Sequence, residues 1–163
     1  NFPTTKMMGI IQLPNLPTGY YQLVGEWKSY QTILADIWQI RLFRFGDTLQ
    51  ITDTLLSHNH NRLKVELVGM PLMPIDTRYH IAIWLRGKNG TFQQDVSPQI
   101  PTHDWEMDTR YLITAYFDAI PRGHYTLSVV FYDVYSPDLP RLTGYDDQNS
   151  PLGDEVILLE GDF

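Results

Sequence analysis

A chain of 163 residues with a net charge of −7 and no basic stripe is a poor candidate for binding nucleic acid or for polybasic attachment to anionic lipid. Its 13 % aromatic and 19 % charged residues argue against a disordered segment, and its lack of cysteine excludes disulfides, thiolate metal sites and a cysteine nucleophile. No apolar run approaches the roughly 20 residues of a membrane helix, so no transmembrane segment is expected.

Taken in order, the pattern is that of short strands and turns. Asn1–Thr18 carries Pro3, Pro14 and Pro17 and reads as an irregular arm, either ordered on its own domain or docked on a partner. The opening at Asn1 fits a processed chain or a piece of a longer one. Gly19–Trp27 is a candidate first strand, and a short helix is allowed near residues 29–36. Ile37–Phe45 alternates as a strand with Trp38, Ile40 and Leu42 on one side. Gly46-Asp47 is a turn signal, and Leu49 and Ile51 alternate with Thr48, Gln50 and Thr52 after it. Ser57–Asn61, SHNHN, reads as a polar loop. Arg62–Val68 is the cleanest strand, with Leu63, Val65 and Leu67 inward, and Pro71 and Pro74 end it.

Tyr79, Ile81, Ile83 and Leu85 form the next inward set. Lys88-Asn89-Gly90 then predicts an Asn-Gly hairpin turn with two positive φ values, and Thr91–Asp95 returns. Pro98–Asp108 is a loop containing Trp105, followed by a strand through Tyr111, Ile113, Ala115 and Phe117. Pro121-Arg122-Gly123 is a turn leading into a strand with Tyr125, Leu127, Val129 and Phe131 on one face, apolar on both faces from Val130. A Pro/Asp/Gly-rich excursion from Ser136 to Asp154 precedes a last strand, Glu155–Glu160. This is an all-β antiparallel sandwich, jelly-roll or immunoglobulin-like, of eight to nine strands with little helix. It divides into residues 1–44, an arm with first strands that could dock on a partner, and a sandwich domain at 45–163.

Several phrases follow one another along the chain. They are Phe45-Gly46-Asp47-x-Leu49-x-Ile51, Leu63-x-Val65-x-Leu67, Pro74-Ile75-Asp76-x-x-Tyr79-x-Ile81-x-Ile83-x-Leu85, Asn89-Gly90 with Gln94-Asp95, and Pro101-Thr102-x-x-Trp105. Ile120-Pro121-x-Gly123-x-Tyr125-x-Leu127-x-Val129-x-Phe131-Tyr132-Asp133, Leu139-Pro140 and Pro151-Leu152-Gly153-Asp154 complete the set. In this order they resemble the β-sandwich module at the C-terminal end of many bacterial multi-spanning membrane glycosyltransferases of the dolichyl-phosphate-mannose mannosyltransferase type. The resemblance covers residues 45–163. It departs at Val129–Asp133, which lacks the glycine often found there, and at Trp84-Leu85, where a His-Leu pair is usual. It implies an extracytoplasmic (periplasmic or cell-surface), non-catalytic appended domain and carries over no catalytic residue and no cofactor.

Candidate chemistry is sparse. His58 and His60 share a side on an extended chain but lack a third metal ligand, and His80, His103 and His124 are scattered. Asp104, Glu106 and Asp108, and Asp146, Asp147, Asp154 and Glu155, are acidic groups in turn-rich stretches, where aspartate is favoured for backbone capping. Asp146, Asp147 and Asp154 are the calcium candidates, oxygen ligands in loops being suited to that ion. Asn89-Gly90-Thr91 matches a glycosylation acceptor, with hairpin chemistry as its competing explanation. Trp84, set opposite Ile83 and Leu85, could join Trp105, Tyr132 and Tyr135 in an aromatic platform for a protein contact or a sugar face. The expected function is a structural or protein-interaction subunit of a membrane-associated or cell-surface assembly, with a membrane or surface protein as partner. The alternative is a carbohydrate-binding accessory module of a glycosyltransferase, and an enzyme ranks below both.

Overall fold

The computed structural model describes residues 19–22, 37–40, 42–59 and 62–162. They form two antiparallel sheets. The larger has eight strands. Its spine is β4 (Leu49–Asn59), β5 (Arg62–Pro71) and β8 (Tyr111–Asp118). The outer edge of β4 is shared by β2 (Ile37–Ile40), which continues to β1 (Gly19–Gln22), and by β3 (Phe43–Phe45), which continues to β10 (Gly144–Tyr145) and β11 (Pro151–Gly153). The second sheet has four strands in the order β12 (Val156–Asp162), β9 (His124–Asp133), β6 (Tyr79–Gly87), β7 (Gly90–Val96). A one-turn 3₁₀ helix at Thr102–Asp104 is the only helix among the described residues, and no described helix is long and apolar enough to cross a membrane.

The all-β sandwich expected from the residues is therefore the architecture found. The four-stranded sheet has the G-F-C-C′ order of immunoglobulin-type sandwiches, and β4, β5 and β8 stand in the places of A, B and E. The start of β9 carries a further mark of that architecture. The Tyr125 hydroxyl donates to the Pro121 carbonyl at 2.8 Å, a tyrosine corner made by the Pro121-x-Gly123-x-Tyr125 phrase.

The core lies between the sheets. β5 alternates as read, with Leu63, Val65 and Leu67 fully buried and half-exposed residues between them. From the facing sheet come Ile81, Ile83, Leu85, Leu127, Val129 and Phe131. Phe45 and Phe131 meet across the sandwich with ring centroids 4.6 Å apart.

Four details differ from the sequence reading. Among the described residues the strand count is twelve, because the short β1, β2, β3, β10 and β11 join the eight-stranded sheet's margin. Ser57 to Asn59 belong to β4, so most of the expected polar loop is strand. A β-bulge between Ile51 and Asp53 explains the miss: Leu49 and Ile51 point in before it, Thr54 and Leu56 after it, so a strict period of two breaks mid-strand. Ile37–Phe45 holds two strands, β2 and β3, where one was expected; in β3 Phe43 and Phe45 are buried, and Leu42 just before them is exposed. At the β6–β7 hairpin the two central residues are Lys88 and Asn89, neither with positive φ; only Gly90, one residue on, has φ 141°. The expected helix near 29–36 and the arm at 1–18 lie outside the described residues.

Candidate functional site

The outer face of the four-stranded sheet holds a cleft of about 340 Å³. Alternation aims Ala82, Trp84 and Arg86 of β6 outward, since Ile81, Ile83 and Leu85 face the core. Register does the rest. Ala82 lies opposite Val130 on β9 and Asp95 on β7, and Trp84 lies opposite Ser128 and Gln93. Ala82 and Val130 make a small apolar floor. Trp84 stands to one side of it on β6, and Tyr132, opposite His80, stands to the other on β9. His80 and Trp84 are four strand positions apart, roughly 13 Å at about 3.4 Å per residue, which sets the two aromatic residues, Trp84 and Tyr132, well apart along the strands.

Polar side chains around this floor are held by one another. Arg86 stacks over the Trp84 ring, 4.3 Å from its centroid, and pairs with Glu155 at the start of β12. Ser128, buried beneath them, accepts from Arg86 at 3.1 Å and donates to Glu155. Asp95 accepts from Gln93 at 2.8 Å and from the Tyr132 hydroxyl at 3.2 Å. Partial burial and the Asp95 charge raise the Tyr132 phenol above its ordinary value, so at neutral pH it is a donor.

The segment after β9 forms one wall. Its carboxylate clasp is Asp133, which accepts from the Tyr135 N–H at 2.9 Å and the Ser136 hydroxyl at 2.7 Å. These bonds, the Ser136 hydroxyl first, hold the Asp133 carboxyl below the usual carboxylate range. The chain then returns alongside β9: Asp133 N–H donates to the Pro140 carbonyl, Leu142 N–H to that of Phe131, both at 2.9 Å, and Arg141 bridges to Tyr132. This flap places Leu139 and Arg141 on the cleft. Leu139 is exposed and has φ 45°, a left-handed conformation that is costly for a branched apolar residue.

Of the four aromatic residues named for a platform, the structure brings Trp84 and Tyr132 to the cleft. Trp105 is 5 % exposed; its indole stacks on Tyr111 with centroids 4.6 Å apart and donates to the Ile100 carbonyl at 2.8 Å. Its neighbour Thr102 donates to the Thr77 carbonyl and accepts from Tyr79 N–H, both at 2.7 Å. Pro101-Thr102-x-x-Trp105 is thus a lock that pins the loop onto the sandwich. Tyr135 is exposed beside Arg78 in a separate shallow depression with Asp76, His103 and Asp133.

The calcium candidates are not gathered. The Asp146 carboxylate caps its own turn, accepting from Gln148 and Ser150 N–H at 3.0 and 2.8 Å, and Asp154 accepts from Thr143. Among the described residues no group of three or more histidines and carboxylates is placed to hold a metal ion. The side chains of His58 and His60 lie outside the described residues. Asn89 Nδ2 donates to the Arg122 carbonyl at 2.8 Å, which ties the hairpin to the turn before β9. Sequence reasoning did not find Arg86, Gln93, Asp95, Leu139, Arg141 or Glu155 as cleft residues. The alternation that singled out Trp84 extends to Arg86, but the others depend on strand order.

His124, at the open end of β9, meets two carboxylates of β12: Nε2 lies 3.1 Å from Glu160 and Nδ1 3.1 Å from Asp162. The Glu160 bond first, then that to Asp162, raises its pKa above the ordinary 6.5. A raised folded-state value means that the protonated form is favoured by folding. Its contribution is therefore complete below the unfolded pKa and lost as pH rises through the folded one. We expect an NMR titration of the imidazole to show a midpoint above 6.5 that returns toward 6.5 in a Glu160→Gln/Asp162→Asn variant. A wild-type midpoint at or below 6.5 refutes the clasp.

Comparison with known proteins finds no matching family model, no matching curated protein and no matching solved structure.

Proposed function

We propose that this chain is a non-catalytic, extracytoplasmic binding module that takes a glycan on the outer face of its four-stranded sheet. The observation that carries the reading is the pairing of Trp84 and Tyr132 across the Ala82–Val130 floor, inside a rim of polar groups. A sugar presents C–H faces and hydroxyl edges. Aromatic rings take the faces, and fixed donors and acceptors such as Gln93, Asp95, Arg86 and Glu155 take the edges. Two aromatic residues set well apart along the strands suit linked units better than a single one. Both cleft carboxylates already accept from neighbouring donors, Asp95 from Gln93 and Tyr132, Glu155 from Arg86 and Ser128. That arrangement fixes them as acceptors and supports binding over hydrolysis. The resemblance of residues 45–163 to an appended module of membrane glycosyltransferases supports the extracytoplasmic placement and a role beside such an enzyme.

A second reading, a protein-interaction subunit of a surface assembly, draws on exposed Leu112 and Tyr116 on the outer side of β8. A glycan array separates the two. The wild-type chain is expected to bind extended glycans, and Trp84→Ala to weaken binding about tenfold or more while leaving the unfolding transition nearly in place. An array with no binder overturns the glycan reading and returns the protein-docking one.

A further inference from the structure

Resting on the glycan reading, we infer that the ligand is acidic, and that Arg141 selects it by pairing with a carboxylate on the sugar. Four charged side chains line the cleft: Arg86, Asp95, Arg141 and Glu155. Three are engaged. Arg86 and Glu155 neutralise one another, and Asp95 accepts from Gln93 and Tyr132. The Arg141 side chain makes no hydrogen bond, ion pair or ring contact with any described residue, although its backbone is pinned by the bridge to Tyr132. The flap that carries it is fixed at both sides, by the Asp133 clasp and by the return beside β9, and contains the left-handed Leu139. A left-handed branched residue persists only where its surroundings over-determine it, and such outliers gather at ligand clamps. The result is an exposed cation carried by a fixed stretch of backbone at the cleft wall, on a chain whose net charge is −7. A planar guanidinium presents paired N–H donors that match a carboxylate. A uronic-acid unit lying between Trp84 and Tyr132 would offer its carboxylate to this wall.

The test uses one polymer backbone with and without its charge: polygalacturonate and its fully methyl-esterified form, in affinity electrophoresis and titration calorimetry. The wild-type chain is expected to prefer the acid form by about tenfold, the scale of one charge-assisted hydrogen bond, and to lose that preference in high salt. Arg141→Gln should bind the two forms equally, and Trp84→Ala should weaken both together. Equal binding of both forms by the wild-type chain, or a preference retained in Arg141→Gln, overturns the inference and leaves the glycan reading standing. Binding of neither form overturns the inference. The glycan reading itself falls only if the wider array is also empty.

Discussion

Phe131→Ala is expected to cost about 3–5 kcal/mol of folding stability. Phe131 is fully buried toward the end of β9 and its ring touches Phe45 of the opposite sheet, centroids 4.6 Å apart and planes tilted by 53°. Removing it takes away apolar burial, an aromatic pair worth about 0.5–1.5 kcal/mol, and the filling of space between two sheets held by their own ladders. Those ladders limit how far the walls can close over the gap, so the cavity term stays large. Domains have only about 5–15 kcal/mol in total, so the variant should unfold at much lower urea with an unchanged slope. Phe131→Leu, which keeps most of the volume, should lose far less. A loss below about 1.5 kcal/mol for the alanine variant would mean that the sheets close over the gap after all.

How much of this could be read from the residues alone differs from one strand to the next. β5 was legible because one face is buried and the other wet, so Leu63, Val65 and Leu67 alternate cleanly with Lys64 and Glu66. β4 was legible only as far as its bulge, where the extra residue moves the inward set from Leu49 and Ile51 to Thr54 and Leu56. Polarity misled there: Thr54 is 1 % exposed, and Ser57 to Asn59 lie in a strand. The short strands β10 and β11 have no apolar pattern of their own, because two or three residues added to a sheet margin owe their position to β3. For the candidate site, alternation along β6 was enough to put Trp84 on the outer face. It could not join Trp84 to Tyr132 or separate both from Trp105. That requires knowing that β6 lies between β7 and β9, and that the Pro101–Trp105 loop folds inward. Glu155 and Arg141 reach the same cleft from sequence positions 71 and 57 residues beyond Trp84, through strand order and a return of the chain. No local pattern encodes that meeting.

The glycines permit a second large effect to be isolated, because steric and backbone causes fall on different ones. At Gly87, the last residue of β6, a Cβ would lie 2.4 Å from the His124 carbonyl oxygen and 2.5 Å from the Tyr125 ring. The first obstacle is backbone of the neighbouring strand, and the second is a side chain locked by the tyrosine corner and packed edge-on against Phe92. Neither can yield without parting β6 from β9. Gly87→Ala should therefore cost about 3 kcal/mol or more, the upper end for forcing a methyl into a packed site. Gly153→Ala is a control for backbone strain alone: nothing lies within 4 Å of its Cβ position, but φ is 92°. It should cost about 1–2 kcal/mol. Gly161→Ala has open space and no positive φ, and should stay within about 0.5 kcal/mol of wild type or gain slightly from a stiffer unfolded chain. Urea unfolding of the three variants measures the order. If Gly87→Ala falls level with Gly161→Ala, the close approach of β6 to the start of β9 is wrong, and with it the placement of the tyrosine corner beside the hairpin.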